Sequence, residues 1–363
     1  MKNVFINSII LFFSICIALL STEFIVRFSV QPVNYLKPKL ETDPVLGHKI
    51  VPDSGGHDSW GYRNFIVPDK VDILAIGDSQ TYGVMAPANK SWPSTLAQLS
   101  KKSVYNLSLG GYGPIQYLHL LKTKSKNLNP EIVVVGVYLG NDFIDSYRQV
   151  YSNNYWVDFR LKKFKVEKNN NVITNDDKSI RQWLAYNSVI YRMITNSFIG
   201  DMIRLREAKS KKSNNNNLFI NLGTPNIDIG FTPSLRLTGL NLDNENVQEG
   251  LRISLAALKE INMYTLKNKI RLLVVVIPTK EYVYAKKIKI KHPIYSKLID
   301  NESKATELLV NFLNDNKINY IEPLNAMRKA AANKAIYPSG YDGHPNEDGY
   351  YIIAKEIKNY LTN

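Results

Sequence analysis

The most constraining feature of this sequence is the segment Ile132–Leu139 (IVVVGVYL), which is apolar at nearly every position. A strand with one face in water alternates apolar and polar residues, whereas a strand covered on both faces does not. Arg271–Ile277 (RLLVVVI) has the same character, and Val71–Ile76 is a shorter run that ends in Gly77. The three segments predict buried strands of a parallel sheet.

The segments between these strands have helical length and pattern. Two more short strands are predicted over 104–107 and 318–321, and helices over 86–100, from 116 onward, over 244–267, over about 302–315 and over 350–361. Strands that alternate with helices predict an α/β fold, a five-stranded parallel sheet with helices on both faces. Ligands of such sheets bind at the carboxyl ends of the strands, so functional residues are expected there.

The chain divides into parts of different composition. Residues 1–30 are apolar, residues 31–70 are an irregular approach segment rich in Pro, Gly and Asp, and residues 71–363 form the main domain. An insertion at about 146–240 breaks the strand–helix rhythm and contains two asparagine tracts, Asn169–Asn171 and Asn214–Asn217. We interpret the second tract as the most flexible loop of the insertion.

The N-terminus predicts a membrane segment. Lys2 precedes Val4–Leu20, an almost entirely apolar run at the short end of the roughly 17–25 residues that span a bilayer. No small-x-small cleavage site follows near Glu23, and Ile15 before Cys16 is too large for a lipoprotein processing box. These features favour an uncleaved signal anchor over a cleaved signal peptide. The basic head then places the rest of the chain outside the cytoplasm, in the periplasm or at the cell surface.

Composition argues against several classes of protein. Cys16 is the sole cysteine, so no intrachain disulfide forms, and a metal cluster is not expected because the histidines never occur at ligand spacing: His48, His57, His119, His292 and His344. The net charge of +14 has two interpretations: it attracts anionic partners, or it reflects a general abundance of Lys and Asn throughout the sequence. No nucleic-acid motif is present, so no nucleic-acid partner is expected, and a basic surface suits the neighbourhood of an anionic membrane.

Polar residues follow the predicted strands one after another. Ser79 follows the first strand in IGDSQTYG, a glycine-rich turn at 110–113 follows the second, and Asn141 follows the third. Near the C-terminus, Asp342 lies two residues before His344, where a carboxylate can orient a histidine base. Each has an ordinary explanation alone: a capped turn, a flexible loop, an Asx turn and a structural histidine. Their common position at one sheet edge favours a single site, with free N–H groups of the helix after Ser79 available to an anion.

In this order, the four segments resemble the four blocks of the SGNH/GDSL hydrolase superfamily, over roughly residues 71–145 and 270–360. Ser79 matches the nucleophile of the first block, Gly111 the glycine of the second, Asn141 the asparagine of the third and His344 the histidine of the last. The family's last block usually reads Asp-x-x-His, whereas Tyr341 stands three residues before His344 here. Asp342, one place closer, is taken as the acid.

The resemblance implies a three-layer α/β/α sandwich, the flavodoxin-like SGNH fold, preceded here by the transmembrane helix. It also implies a catalytic triad of Ser79, Asp342 and His344. The implied oxyanion hole consists of the backbone N–H groups of Ser79 and Gly111 and the side-chain amide of Asn141, and no cofactor or metal is implied. The expected chemistry is ester hydrolysis through an acyl-serine.

Four further strings resemble a membrane-anchored extracytoplasmic subgroup: GYRN at 61–64, SWPSTL at 91–96, GGYGPIQ at 110–116 and IPTKEYVY at 277–284. Relatives of that subgroup take part in O-acetylation of alginate and other surface polysaccharides. This implies an acylated glycan or other envelope ester as substrate, and a polysaccharide-modification machinery as a candidate partner. The alternative is that the strings only serve packing of the fold.

Three rival functions remain open. The first is a polysaccharide O-acetyltransferase, which uses the same triad and differs in the acceptor of the acyl group. The second is a catalytically silent protein that binds or assembles glycans. The third is a flavodoxin-like ligand-binding protein, which needs neither a nucleophile nor a base. Four aromatic residues of the insertion are candidates for stacking on sugar rings or for packing its own small core: Tyr151, Tyr155, Trp156 and Trp183.

Overall fold

The computed structural model describes residues 2–162, 164, 179–210, 216–223 and 227–362. The tract Asn169–Asn171 and the first two residues of Asn214–Asn217 lie outside them. The described strands are β1 (Leu40–Asp43), β2 (Gly47–Ile50), β3 (Ile73–Gly77), β4 (Val104–Ser108), β5 (Ile132–Tyr138), β6 (Leu218–Asn221), β7 (Asp228–Phe231), β8 (Arg271–Ile277) and β9 (Tyr320–Ile321).

The described α-helices alternate with these strands from β3 onward. They are α1 (Lys2–Ser29), α2 (Ser79–Tyr82), α3 (Trp92–Ser100), α4 (Pro114–Leu128), α5 (Asp142–Ser152), α6 (Ile180–Asn187), α7 (Val189–Thr195), α8 (Phe198–Ser210), α9 (Pro233–Leu240), α10 (Glu245–Lys267), α11 (Lys280–Tyr284), α12 (Pro293–Asp315), α13 (Leu324–Ala331) and α14 (Glu347–Thr362).

The predicted five-stranded parallel sheet is confirmed. Its strand order is β4-β3-β5-β8-β9, and every neighbouring pair is parallel. Ile73 pairs with Val104 on one side and with Ile132 on the other, so β3 lies inside the sheet. The chain leaves β3 towards one edge and then returns past it to β5. That reversal is the flavodoxin-like switch point, beside which ligands bind at the carboxyl ends of the strands.

Two separate cores cover the two faces of the sheet. Leu74 and Ile76 point into the core shared with α4, α5, α10 and α12, and Ile73 and Ala75 point into the core shared with α3, α11, α13 and α14. Successive residues of a strand face opposite sides, so a strand between two cores is apolar throughout. The architecture is therefore the expected three-layer α/β/α sandwich.

Several boundaries differ from the sequence-based expectation. The approach segment is not wholly irregular, because β1 and β2 pair in an antiparallel hairpin. Helix α12 begins at Pro293 rather than near 302, since Glu302 is fully buried and hides the apolar periodicity of the helix. Its carboxylate accepts hydrogen bonds from the backbone N–H and hydroxyl of Thr279, which satisfies the polar group inside the protein.

Helix α1 is longer than the apolar run alone suggests. The most apolar 18-residue window of its Val4–Ser29 portion has a mean hydropathy of 2.5, and none of this window is buried against the protein. Among the described residues it is the one helix long and apolar enough to cross a membrane. Charged side chains at its end contact the insertion, as detailed below.

Candidate active site

Ser79 lies on a tight turn directly after β3. Asp78 precedes it and caps the four-residue helix α2 by accepting a hydrogen bond from the Gln80 N–H at 2.8 Å. Gly77 is required at the end of the strand, since a Cβ there would lie 2.1 Å from the Thr81 hydroxyl oxygen. The expectation of free N–H groups at this helix start is wrong for Gln80, whose N–H already bonds Asp78. The turn therefore presents the serine side chain rather than an open anion cradle.

Ser79, His344 and Asp342 form a continuous hydrogen-bond chain. The Ser79 Oγ lies 2.8 Å from His344 Nε2, and His344 Nδ1 lies 2.7 Å from Asp342 Oδ1. The same Asp342 oxygen accepts the His344 backbone N–H at 2.8 Å, so both residues are held in one loop conformation. With Nδ1–H donating to the carboxylate, Nε2 is left to accept the serine proton. This is the relation that a general base needs towards a nucleophile.

The surroundings of Asp342 keep it ionised. Burial opposes its charge, but the hydrogen bonds and charge of His344, together with the charge of Lys280, outweigh burial and lower the pKa of Asp342. The shorter Asp-x-His spacing thus does not separate the acid from the base. An ionised carboxylate at Nδ1 stabilises the imidazolium that forms when the base takes a proton.

Lys280 supports the loop that carries Asp342, and sequence reasoning placed it only within a family string. Its side chain is fully buried, and its Nζ donates to the carbonyl oxygens of Asp342 at 2.7 Å and Gly340 at 3.1 Å. It also lies 5.5 Å from the ring centre of Phe231. Burial lowers the pKa of Lys280 to about 8. The lysine therefore restrains the loop that carries Asp342 and His344, which is called the acid–base loop below.

Asp78 competes for the serine hydroxyl. It is fully buried, its Oδ2 lies 3.1 Å from the Ser79 Oγ, and burial raises its pKa. The Ser79 hydroxyl therefore lies within hydrogen-bond distance of both Asp78 and His344 in this structure.

The glycine-rich turn after β4 lies against the nucleophile. A Cβ on Gly110 would lie 3.3 Å from the Ser79 Cβ, so Gly110, one residue before the predicted Gly111, makes the closest approach. Gly111 adopts a φ of +79°, which favours glycine. The Gly110 carbonyl accepts a hydrogen bond from His48 Nε2 at 2.9 Å. Because N–H and C=O point in opposite directions across a trans peptide, the Gly111 N–H points away from His48.

Asn141 lies at the end of β5, with its side-chain orientation set by a neighbouring acid. Its amide Nδ2 donates to Asp145, while its Oδ1 is buried and accepts no hydrogen bond from the described residues. Burial raises the pKa of Asp145 to about 6. Asp142 closes the same turn by accepting from the Tyr138 N–H and the Tyr117 hydroxyl, each at 3.0 Å. Asn141 keeps one amide proton free.

Helix α9, which belongs to the insertion, packs directly on this edge. A Cβ on Gly239 would lie 2.6 Å from the Gly140 carbonyl oxygen. Arg236 on the same helix reaches Gly343, where a Cβ would lie 2.4 Å from its guanidinium Nη2. The Tyr138 side chain, followed by the charges of Glu281 and Asp342, outweighs burial and raises the pKa of Arg236. The insertion thus contributes a permanent cation beside the acid–base loop.

The family strings have structural contacts around the site. Arg63 of GYRN is buried and donates to the carbonyls of Tyr82, Gly83 and Ala86, which hold the segment after Ser79. Trp92 of SWPSTL is fully buried in the core. The contacts of Arg63 and Trp92 are structural, whereas GGYGPIQ and IPTKEYVY contain the glycine turn and Lys280.

The aromatic residues of the insertion divide into two pairs. Tyr151 is buried, stacks on Tyr147 at 4.8 Å and donates to Glu249, and Trp156 is buried with its Nε1 donating to the Val45 carbonyl. Tyr155 is exposed by 56% and Trp183 by 52%. The first pair packs the core and is unavailable to sugars.

Within the described residues, no group of three His, Cys, Asp or Glu side chains is arranged to hold a metal ion. The sheet topology and the side-chain contacts together define an α/β protein with a Ser–His–Asp hydrogen-bond chain at the carboxyl edge of a parallel sheet. Its architecture and block order are similar to those of SGNH/GDSL hydrolases.

No family model and no curated protein sequence matches this chain. Among solved structures, a G-D-S-L family protein from Desulfitobacterium hafniense is 12% identical, with a TM-score of 0.38, and covers 80% of this chain and 99% of its own. A GDSL-like lipase from Bacteroides thetaiotaomicron is 13% identical, with a TM-score of 0.37 and coverages of 80% and 87%. The acetyl-xylooligosaccharide esterase Axe2 from Geobacillus is 10% identical, with a TM-score of 0.40 and coverages of 82% and 96%. Because these values are low, no residue role is carried over from these proteins.

Proposed function

We propose that this chain is a serine-dependent ester hydrolase of the SGNH/GDSL type, acting on an acylated glycan or another envelope ester. The observation that carries the proposal is the hydrogen-bond chain from Ser79 through His344 to Asp342. A silent binding protein has no need for a nucleophile, a base and an ionised acid at hydrogen-bond distances. A flavodoxin-like binder likewise needs no such chain.

The proposed reaction runs in two halves. The Ser79 Oγ attacks the ester carbonyl while His344 Nε2 takes its proton, and the tetrahedral intermediate collapses as the alcohol leaves with that proton. Water then attacks the acyl-serine, His344 again takes a proton, and the carboxylic acid departs as Ser79 regains its hydrogen. Asp342 remains ionised throughout and stabilises the imidazolium.

The oxyanion of the intermediate needs donors aimed at one point. We propose the Gly111 N–H, which points away from His48, and the free amide proton of Asn141 as the main donors. The Ser79 N–H is the third proposed donor. The low pKa of Asp342 and the buried position of Lys280 support a site that is preorganised before substrate binds.

We further propose that residues 1–30 remain as a signal anchor and that the catalytic domain lies outside the cytoplasm, with 31–70 as the approach segment and 146–240 as the insertion. The contacts of α1 support retention. The Glu23 carboxylate accepts hydrogen bonds from the Val189 N–H at 2.8 Å, the Ile190 N–H at 3.1 Å and the Ser188 hydroxyl at 2.9 Å. Removal of α1 would leave the start of α7 without this cap.

The decisive experiment measures ester hydrolysis and labelling by a fluorophosphonate probe. Ser79→Ala should abolish labelling, and both Ser79→Ala and His344→Ala should lower kcat by at least about a thousandfold with the fold intact. Asn141→Ala should cost about a hundredfold. Ser100→Ala is the matched serine control and should behave like the parent. Full activity in Ser79→Ala would contradict the proposal, whereas full activity in Asp342→Ala would contradict only the choice of acid.

A second measurement separates hydrolase from O-acetyltransferase. Both share the acyl-serine, so the triad residues do not discriminate between them. The chain is incubated with an activated acetyl ester and oligosaccharides, and both products are quantified by mass spectrometry. Release of acetate alone, with neutral and acidic glycans, agrees with the hydrolase. Acetylated sugar that accumulates faster than acetate would favour the transferase.

A further inference from the structure

Helices α6 and α8 expose a set of large apolar side chains. Ile199, Met202 and Ile203 of α8 are exposed by 56%, 55% and 54%, and Ile180 and Trp183 of α6 by 79% and 52%. The spacing i, i+3 and i+4 places the three α8 residues on one face of the helix, and the spacing i and i+3 does the same for α6. Each of the two helices therefore has an exposed apolar face, and such a face marks an interaction surface more often than scattered single residues do.

This apolar surface belongs to the part of the protein that holds the end of α1. Besides the Glu23 cap on α7, Arg27 forms an ion pair with Glu23 at 2.9 Å and donates to the Asn187 carbonyl at the end of α6. The chain leaving α1 is held as well, because Arg192 of α7 donates to the Tyr35 carbonyl at 2.9 Å. Helices α6 and α7 are therefore attached to the membrane segment where it ends, and α8 packs against α7.

The length of α1 places this attachment near the bilayer surface. A hydrocarbon core of about 30 Å takes about 20 helical residues, whereas the apolar helix has 26. If Val4 enters the hydrocarbon, the core ends near Glu23, and the last turn with Arg27 lies among the headgroups. The contacts of Glu23 and Arg27 then hold α6 and α7 at the same level.

We propose that helices α6 to α8 lie on the outer surface of the bilayer, with the five apolar side chains among lipid headgroups and upper acyl chains. Tryptophan is favoured at this depth because its ring is apolar and its N–H needs a polar partner. Arg181 and Arg206 are exposed on the same helices and suit anionic headgroups. The inference rests on the proposed anchoring by α1 and is independent of the ester chemistry.

Fluorescence quenching in lipid tests this placement on the full chain. The chain is reconstituted in nanodiscs of phosphatidylcholine and phosphatidylglycerol, with either brominated or ordinary acyl chains. The emission of Trp183 is obtained as the difference between the parent and Trp183→Phe, which removes the contributions of Trp60, Trp92 and Trp156. We expect brominated lipid to quench this difference emission by about half or more, as expected for an interfacial indole. Unquenched Trp183 would overturn the proposal.

Two sets of variants make the outcome specific. Phe12→Trp in α1 should be strongly quenched, and if it is quenched while Trp183 is not, the anchor stands and the surface proposal fails. Ile199→Ser with Ile203→Ser should reduce Trp183 quenching, whereas Leu266→Ser, another exposed apolar residue on α10, should not. Hydrolysis of a soluble ester should be unchanged in all of them. Equal quenching of Trp183 in the parent and in the Ile199→Ser, Ile203→Ser variant would also contradict the proposal. If Trp183 is shielded in native membranes but not in nanodiscs, the apolar face binds a protein partner and the proposal fails.

Discussion

At the scale of single residues, the site is built from charges that the protein buries and then satisfies. Lys280 is a buried cation that donates to two backbone carbonyls, and Asp145 is a buried acid that accepts the Asn141 amide. A buried polar group costs free energy unless it is paired, so each of these partners is restrained by the other. Such restraint is what orients His344 and Asn141 before a substrate arrives.

Lys280→Met tests the support beneath the acid–base loop. The change removes both hydrogen bonds to the Gly340 and Asp342 carbonyls and lets the loop shift. We expect kcat to fall by about tenfold to a hundredfold, as for misplacement on the ångström scale, with KM nearly unchanged. Lys286→Met, at an exposed position nearby, is the control. Equal losses of thermal stability and activity, with normal kcat in the folded fraction, would contradict a positioning role.

Asp145 predicts a pH dependence of stability. Its pKa rises from 3.8 to about 6 on folding, so between these pH values the folded state binds more protons than the unfolded state. The unfolding free energy should therefore fall as pH rises through this window. Asp145→Asn removes the effect, and its stability relative to the parent should rise by about 2 kcal/mol from pH 4 to pH 7. Urea unfolding in detergent measures this difference in stability, and Asp315→Asn, at an exposed position, is the control. Parallel pH profiles of stability for the parent and Asp145→Asn would contradict the prediction.

At the scale of elements, parts outside the four family blocks reach the site. The β1–β2 hairpin of the approach segment supplies His48, and helix α9 of the insertion supplies Arg236 and packs on the Asn141 turn through Gly239. The hairpin is held to the body by Trp156 and Gln149, both of which donate to the Val45 carbonyl. The additions are thus part of the structure that shapes the catalytic edge.

His48→Phe tests the contribution of the hairpin. The His48 hydrogen bond orients the Gly110–Gly111 peptide, whose N–H is a proposed oxyanion donor. Its loss should lower kcat by about tenfold while KM changes little, since the oxyanion exists only in the transition state. His48→Gln should restore most of the activity, because its amide also donates. Thr42→Ala, opposite His48 in the hairpin, is the control. Failure of glutamine to rescue would indicate a purely steric role.

At the scale of the whole molecule, the apolar helix α1 and the α/β domain are joined by specific contacts rather than by a loose tether. We expect the chain to fractionate with membranes and residues 31–363 to be accessible to protease only from outside. High salt and carbonate should not release it, because a transmembrane helix is not held by surface charge. A soluble mature chain beginning near residue 23 would show cleavage instead of anchoring.

Much of this architecture was predictable from the sequence. The strands were found because burial on both faces makes them continuously apolar, and Ser79, His344 and Asp342 were found because their positions after strands and before a helix resemble known blocks. The boundaries of α12 and the β1–β2 hairpin were missed. In the first case a buried Glu302 interrupts the apolar pattern, and in the second the short strands are only half-buried.

The sequence by itself determined the sheet, its two covering layers, the apolar N-terminal helix and the order of the triad residues, because each leaves a local pattern of apolar spacing or a short motif. Only the tertiary structure decided that His48 and Lys280 support the site, that Tyr151 and Trp156 are core residues, and that Glu23 joins α1 to the insertion. These contacts link positions from 60 to 166 residues apart. Burial and hydrogen bonds between such distant segments leave no periodic trace in either segment alone.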